Sequence, residues 1–256
     1  MTTSPTRTAD HPQARVFGVA FSTGSMQEAL TAIAGYVARP AQPPAFCCFV
    51  NAHCLNLAFR DRAYARLLNQ ADQVWADGVG VAIAARNRRT PVLENVNGTD
   101  MLPLLCQSGH SLYLLGGKPG VAEAAREKLQ AQYPELRILG TWHGYFPDDC
   151  TALIQDINAK APDVLMVAMG VPKQEFWIAE HRGQLNCRVC LAVGGLLDFA
   201  SGRIPRAPHW LRRLRGEWLF RLWQEPRRMF KRYILGNPLF LWRVWRYPEN
   251  RNWEKD

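Results

Sequence analysis

Asp163-Val164-Leu165-Met166-Val167-Ala168-Met169-Gly170-Val171-Pro172-Lys173-Gln174-Glu175 is the stretch on which the fold turns. Its unbroken apolar run is too short for a buried helix, and Gly170 and Pro172 close it. That pattern predicts a strand over 163–169, buried on both faces, followed by a turn and a helix from about Lys173 to His181.

The same alternation runs outward in both directions. Phe46 to Val50, Ser111 to Leu115, Arg137 to Gly140 and Val189 to Val193 read as strands. Leu55 to Leu68, Val121 to Tyr133 and Cys150 to Lys160 read as helices, the last capped by Asp148 or Asp149. Strands alternating with helices predict an α/β fold, a Rossmann-like, mostly parallel sheet covered on both faces. Ligands of such sheets bind beyond the carboxyl ends of the strands. Attention therefore falls on Asn51, Gly116-Gly117, Gly170 to Glu175 and Gly194-Gly195.

The chain has 256 residues, 48% apolar and 21% charged, enough for one sizeable domain and an appendage. Its net charge of +9 is concentrated at one end. From Arg203 to Asp256 there are 14 Lys/Arg against 5 Asp/Glu, with six of the nine tryptophans: Trp210, Trp218, Trp223, Trp242, Trp245 and Trp253. The preceding 202 residues are neutral. The expected organisation is a disordered start over 1–15, an α/β domain over 16–202, and a helical basic, aromatic appendage over 203–256. Prolines 208, 226 and 238 each sit where a short amphipathic helix can open. A basic aromatic tail suits an anionic partner with apolar or stacking surface: a phospholipid surface, a polyprenyl diphosphate or a nucleic acid. Arg212, Arg213 and Arg215 beside Trp210, Leu211, Leu214 and Trp218 fit an interfacial helix.

No run approaches the roughly 20 apolar residues of a membrane span. The polar start has no apolar core of a secretory signal, so a cytoplasmic protein is expected, peripherally bound to the inner face of the membrane. Seven cysteines without framework spacing predict free thiols, including Cys187 and Cys190 of a lone C-x-x-C. No D-x-D stands near a strand end, and His143, His181 and His209 do not cluster with carboxylates, so no catalytic metal is expected. A dinucleotide oxidoreductase lacks support without G-x-G-x-x-G, and nucleic-acid binding lacks any recognition-module signature.

Asp77, in Trp75-Ala76-Asp77-Gly78-Val79-Gly80, is either a general base or the N-cap of a helix from Val79 to Arg86. Gly116-Gly117-Lys118-Pro119-Gly120 is either a diphosphate cradle at a helix N-terminus or a tight turn. Gln174 and Glu175, in a first helical turn, can read ligand hydroxyls or a base edge, or can serve the helix end.

These segments together resemble the WecG/TagA/CpsF glycosyltransferases. The resemblance rests on Asn51-Ala52-His53, Ala76 to Gly80, Val96-Asn97-Gly98-Thr99-Asp100, Leu114 to Gly117, Gly144-Tyr145-Phe146 and Ala161 to Glu175. In the tail it rests on Arg206-Ala207-Pro208, Trp210, Glu217-Trp218, Arg221-Leu222, Glu225-Pro226 and Arg232-Tyr233. The resemblance implies an inverting transferase that needs neither metal nor cofactor. It would move a sugar from a UDP-sugar to an undecaprenyl-diphosphate-linked sugar in the synthesis of bacterial surface or exopolysaccharide. It makes Asp77 the catalytic base. It assigns substrate binding to Asn51, Asn97, Thr99, Asp100, Gly116, Gly117, Gln174, Glu175, Arg206, Arg221 and Arg228. It implies as partners the UDP-sugar donor, the lipid-diphosphate-linked acceptor and a membrane surface, with no nucleic acid; a homo-oligomer stays open.

Two positions depart from the family pattern. Phe49 stands where many relatives have Thr, and Asn95 where many have Arg. The departures point to a subgroup different from the N-acetylmannosaminyltransferases, such as one using a UDP-hexose like UDP-glucose; a donor of the UDP-N-acetylmannosamine type stays open.

Overall fold

In the computed structural model, the described residues are 12–39, 42–208, 211 and 216–247, with the side chain of Arg228 outside the description. Among them an eight-stranded sheet runs in the order β1-β2-β4-β3-β8-β7-β5-β6. The strands are β1 (Gln13–Val16), β2 (Val19–Ser22), β3 (Ala45–Val50), β4 (Gln73–Ala76), β5 (Leu112–Gly116), β6 (Ile138–Trp142), β7 (Val164–Ala168) and β8 (Val189–Ala192). Only the edge hairpin β1–β2 is antiparallel. The expected α/β sheet is therefore the observed one.

Successive residues of each strand serve opposite faces, as the two-residue period requires. Phe46, Cys48, Val50, Leu165, Val167, Cys190 and Ala192 enter one core cluster, and Cys47, Val164, Met166, Val189 and Leu191 the other. The first face is covered by α2 (Ala52–Arg60), α3 (Arg62–Asn69), α7 (Thr151–Lys160) and α8 (Lys173–His181). The second is covered by α1 (Met26–Ala38), α5 (Gly98–Cys106), α6 (Val121–Gln132) and α9 (Leu196–Ala200). A further helix, α4 (Val79–Asn87), follows β4.

Several boundaries differ from expectation. Residues 1–11 lie outside the description, but β1 begins at Gln13, so the domain starts before 16. The single helix expected over 55–68 is two. Asp61 leaves the helical region (φ −114°, ψ 103°) and its carboxylate accepts from Ala63 and Tyr64 N–H, ending α2 and capping α3. The buried thiols are as expected: all seven cysteines are free and buried, with Cys187 and Cys190 Sγ 3.6 Å apart.

The larger correction concerns the tail. Its described part holds α10 (Glu217–Gln224), α11 (Pro226–Met229), a π-helical turn (Phe230–Leu235) and α12 (Gly236–Arg246). Pro226 opens α11 as expected, but Pro238 lies inside α12 rather than opening it. Pro238 has no N–H for the Ile234 carbonyl, so an α-helical bond is missing there in any case. The chain widens just before it, with Gly236 N–H donating five residues back to Lys231 O. α12 is not an appendage. Phe240 and Val244 are buried in the core cluster of the first face, and Phe240 meets the Phe17 ring edge-on at 5.8 Å. Arg243, 6% exposed, donates to Asn56 Oδ1 (2.7 Å) and stacks over Phe59 (4.3 Å), while Asn56 Nδ2 donates to Gly236 O (2.8 Å). The expected boundary at 202/203 thus cuts through one core. The expected interfacial helix falls mostly on residues 209, 210 and 212–215, outside the description, as does Trp253.

Candidate active site

The carboxyl ends of β3 and β4 sit side by side, with Val50 paired to Ala76. Asp77 follows directly, its N–H donating to Val50 O (2.9 Å). The capping alternative for Asp77 does not hold. The N-cap of α4 is Gly78, at φ 93°, with no side-chain cap bond. Only glycine takes that backbone shape without strain. Asn95 Oδ1 accepts the Gly78 N–H and secures the turn.

The Asp77 carboxylate accepts instead from Asn51 Nδ2 at 3.5 Å. Asn51 is itself the N-cap of α2, its Oδ1 accepting from His53 and Cys54 N–H. Burial raises the Asp77 pKa above the usual carboxylate value; the Asn51 bond, Arg232 and Arg221 pull it down, and Glu217 pushes it up. The result is a carboxylate made more basic than its exposed counterpart, in the electrostatic field of two guanidiniums. His53 lies on the same helix start. Burial and Arg232 lower its pKa to about 4, so its imidazole is neutral at physiological pH.

The tail supplies this corner. Arg221, on α10, stacks over Phe199 (5.1 Å) and donates to Tyr233 Oη (3.5 Å). Arg232 comes from the π-helical turn and stands over Tyr233 (5.7 Å). Asn97 caps α5 and donates to Asp100 Oδ2 (2.7 Å). Asp100 also accepts from Arg206, which lies 3.8 Å from Glu217. Asn97, Asp100 and Arg206 therefore form a strap between α5 and the tail, with Thr99 in the same helical turn. Arg228 lies in α11, its side chain outside the description.

Beyond β5, β7 and β8 opens a cleft of about 840 Å³, lined by Gly117, Lys118, Gly144, Tyr145, Met169, Gly170, Lys173, Gly194, Gly195, Asp198, Arg203, Trp223 and Glu225 among others. Lys118, Lys173 and Arg203 give it cationic walls, and Tyr145 and Trp223 are 66% and 79% exposed beside it. Gly116 and Gly117 serve close packing first. A Cβ on Gly116 would sit 2.2 Å from Ala168 O. The Gly117 N–H donates to that same carbonyl (3.1 Å), so it is not aimed at a ligand as a cradle would require. Gln174 and Glu175 are buried at 3% and 1% exposure and do not line the cleft. Gln174 Oε1 accepts from Gly170 N–H (3.2 Å) and Gly194 N–H (2.9 Å), which holds the cleft wall from behind.

Among the described residues no group of three or more His, Cys, Asp or Glu is placed to hold a metal ion. The cations of the cleft, with Arg221 and Arg232, can offset negative charge.

The model of the glycosyl transferase WecG/TagA/CpsF family matches residues 14–254. The chain belongs to that family. The transferase is also 30% identical over 233 residues to an N-acetylglucosaminyldiphosphoundecaprenol N-acetyl-beta-D-mannosaminyltransferase of Staphylococcus aureus strain MRSA252, covering 90% of this chain and 91% of the relative. The enzymes of the same name from strains MW2 and NCTC 8325 match over the same extent.

His53 and Arg232 join this corner of the transferase without being among the expected site residues, although both stand inside segments that carry the resemblance. Their proximity to Asp77 depends on a helix start and a π-helical turn meeting in space, which no local pattern announces. Lys118, Lys173 and Arg203 were equally hidden, being single cations on three separate loops.

Proposed function

We propose that the transferase moves a sugar from a UDP-sugar onto a sugar carried by undecaprenyl diphosphate, with inversion at the anomeric carbon and Asp77 as general base. The observation that carries this reading is Asp77 itself. It is a part-buried carboxylate, free of capping duty, made more basic by burial and flanked by Arg221 and Arg232. Its oxygen takes the proton of the acceptor hydroxyl as that oxygen attacks the anomeric carbon. The bond from that carbon to the diphosphate oxygen breaks on the opposite face, and its electron pair leaves with UDP. Lys118, Lys173 and Arg203 suit the donor's diphosphate in the cleft, and Trp223 and Tyr145 offer faces for its base. Arg221, Arg228 and Arg232 suit the acceptor's diphosphate from the tail. The relatives' names, which specify an acceptor of this kind, support the reading.

The donor we propose is a UDP-hexose such as UDP-glucose. Phe49 supports it: its ring packs against Trp75 (5.4 Å between centroids) and comes within 3.5 Å of the Cβ position of Gly98, giving the start of α5 an apolar wall. The relatives favour the alternative, N-acetylmannosamine.

The proposal includes work at a lipid surface, where a polyprenyl-diphosphate-linked acceptor would be met, on the inner face of the cell membrane. Among the described residues no helix is long and apolar enough to cross a membrane. Exposed Leu235, Leu241, Trp242 and Trp245, with Lys231 and Arg246 close in sequence, support peripheral attachment there.

A donor screen tests the reading. Purified protein is given a short-chain polyprenyl-diphosphate-linked sugar and a panel of UDP- and GDP-sugars, and released nucleotide is measured. UDP release with UDP-glucose supports the full proposal. Release with UDP-N-acetylmannosamine alone replaces the donor, and release of GDP overturns the cleft's assignment.

A further inference from the structure

Gln174 makes an unusual junction. The β7–β8 ladder ends at Val167 and Ala192, followed by one bond from Val193 N–H to Val167 O (2.9 Å). Beyond that point the two strand ends are joined by a side chain. Gln174 Oε1 accepts from Gly170 N–H after β7 and from Gly194 N–H after β8. Both glycines line the cleft.

A carboxamide has two near-equivalent orientations, and the flipped one would aim an NH2 at two N–H donors. What opposes the flip is the acceptor on the other side: Gln174 Nε2 donates to Glu175 Oε1 at 2.8 Å. The second carboxyl oxygen, Glu175 Oε2, is buried and has no hydrogen-bond partner. Burial disfavours the charged carboxylate there, while the Gln174 bond and a backbone N–H bond favour it. The groups around it are neutral: Cys54 of α2, Tyr64 of α3 and, next to Tyr64, Cys48 of β3. The Cys54 thiol is pushed up to about 12 and the Tyr64 phenol is also pushed up, both mainly by burial. Among the described residues no charged side chain pairs with Glu175.

We propose that Glu175 is a positioning residue: its carboxyl fixes the Gln174 carboxamide, which ties Gly170 and Gly194 into one rigid wall of the cleft. The tie stands on geometry alone; its consequence for donor binding rests on the UDP reading of the cleft. Burial raises the Glu175 pKa to about 7, so the acid is shared between two forms near neutrality. Ionisation makes Oε1 the stronger acceptor, and the Gln174 bond itself favours that form, so the tie holds on both sides of neutrality.

Amide hydrogen exchange on the full chain tests the tie, and UDP titration tests its consequence. The proteins are the native chain, Glu175→Gln as the permanently neutral isostere, and Glu175→Leu, which removes the acceptor. The expected result is exchange at Gly170 and Gly194 about tenfold faster in E175L than in E175Q, with the rest of the sheet unchanged. The native chain should stay as protected as E175Q at about pH 6 and at about pH 8.5. UDP affinity should be weaker in E175L than in the native chain and E175Q. Equal exchange at the two glycines in all three proteins overturns the tie. Should E175L not fold, Gln174→Met, which removes the carboxamide at similar length, takes its place, and exchange at the two glycines equal to that of the native chain overturns the proposal. The exchange pattern without any UDP binding supports the tie and overturns the donor assignment instead.

Discussion

Asn51 Nδ2 donates to Asp77 Oδ2 across 3.5 Å, joining the ends of two neighbouring parallel strands. One side chain thus caps a helix with its oxygen and orients the proposed base with its nitrogen. Asn51→Ala should lose both functions. The cap contributes about 1 kcal/mol, read as a lower melting temperature. The Asn51 bond lowers the Asp77 pKa, so without it the acid limb of the rate profile should move to higher pH. A limb that stays in place would separate Asn51 from the base.

Asp77→Asn should reduce transfer by about 10²–10⁴-fold while UDP binding and the melting temperature stay close to native values. Because the reaction needs the unprotonated carboxylate, the native rate should fall as pH drops toward the raised Asp77 pKa. Turnover by D77N at the native rate would remove this residue from the chemistry.

His53 gives a sign that can be checked by unfolding. Its folded pKa, about 4, lies below the ordinary value of 6.5 because of burial and Arg232. The unfolded chain therefore binds more protons between those values. The His53 contribution is fully present above about pH 6.5 and is lost as pH falls toward 4. His53→Gln should lose less stability than the native protein over that interval, as read by denaturant unfolding at a series of pH values.

The Arg243–Asn56 contact decides how much of the tail can be removed. Arg243→Ala leaves buried Asn56 Oδ1 without its donor and removes the stacking on Phe59, and should cost about 2 kcal/mol or more in chemical denaturation. Truncation at Gly202 removes Phe240 and Val244 from the core as well, and should give an unstable body rather than a soluble, membrane-free one. A cooperative, native-like melt of that truncation would show the tail to be dispensable for folding.

Trp242→Ser with Trp245→Ser should weaken flotation with vesicles containing anionic phospholipid and leave the melting temperature nearly unchanged, since both rings are more than half exposed. Unaltered flotation would move the lipid contact elsewhere on the chain.

Apolar patterning along the chain is enough to dictate the sheet and the neighbourhood of its site. Continuous apolar strands such as Val164–Ala168 can only be buried between two helical layers, and the parallel arrangement brings their carboxyl ends to one edge. Asp77 and Asn51 were legible for that reason, as residues directly following strands. What each side chain does there follows from contacts between segments distant in the chain. Whether Asp77 caps α4 depends on the φ of Gly78, and whether Gln174 faces ligand or backbone depends on two glycines from different strands. The tail misled for the same reason. Its charge and tryptophans mark an appendage, but the residues that bind it to the body, Phe240, Arg243 and Val244, find their partners on helices far away in the chain. Local periodicity records which face of a segment is apolar; it does not record what that face meets.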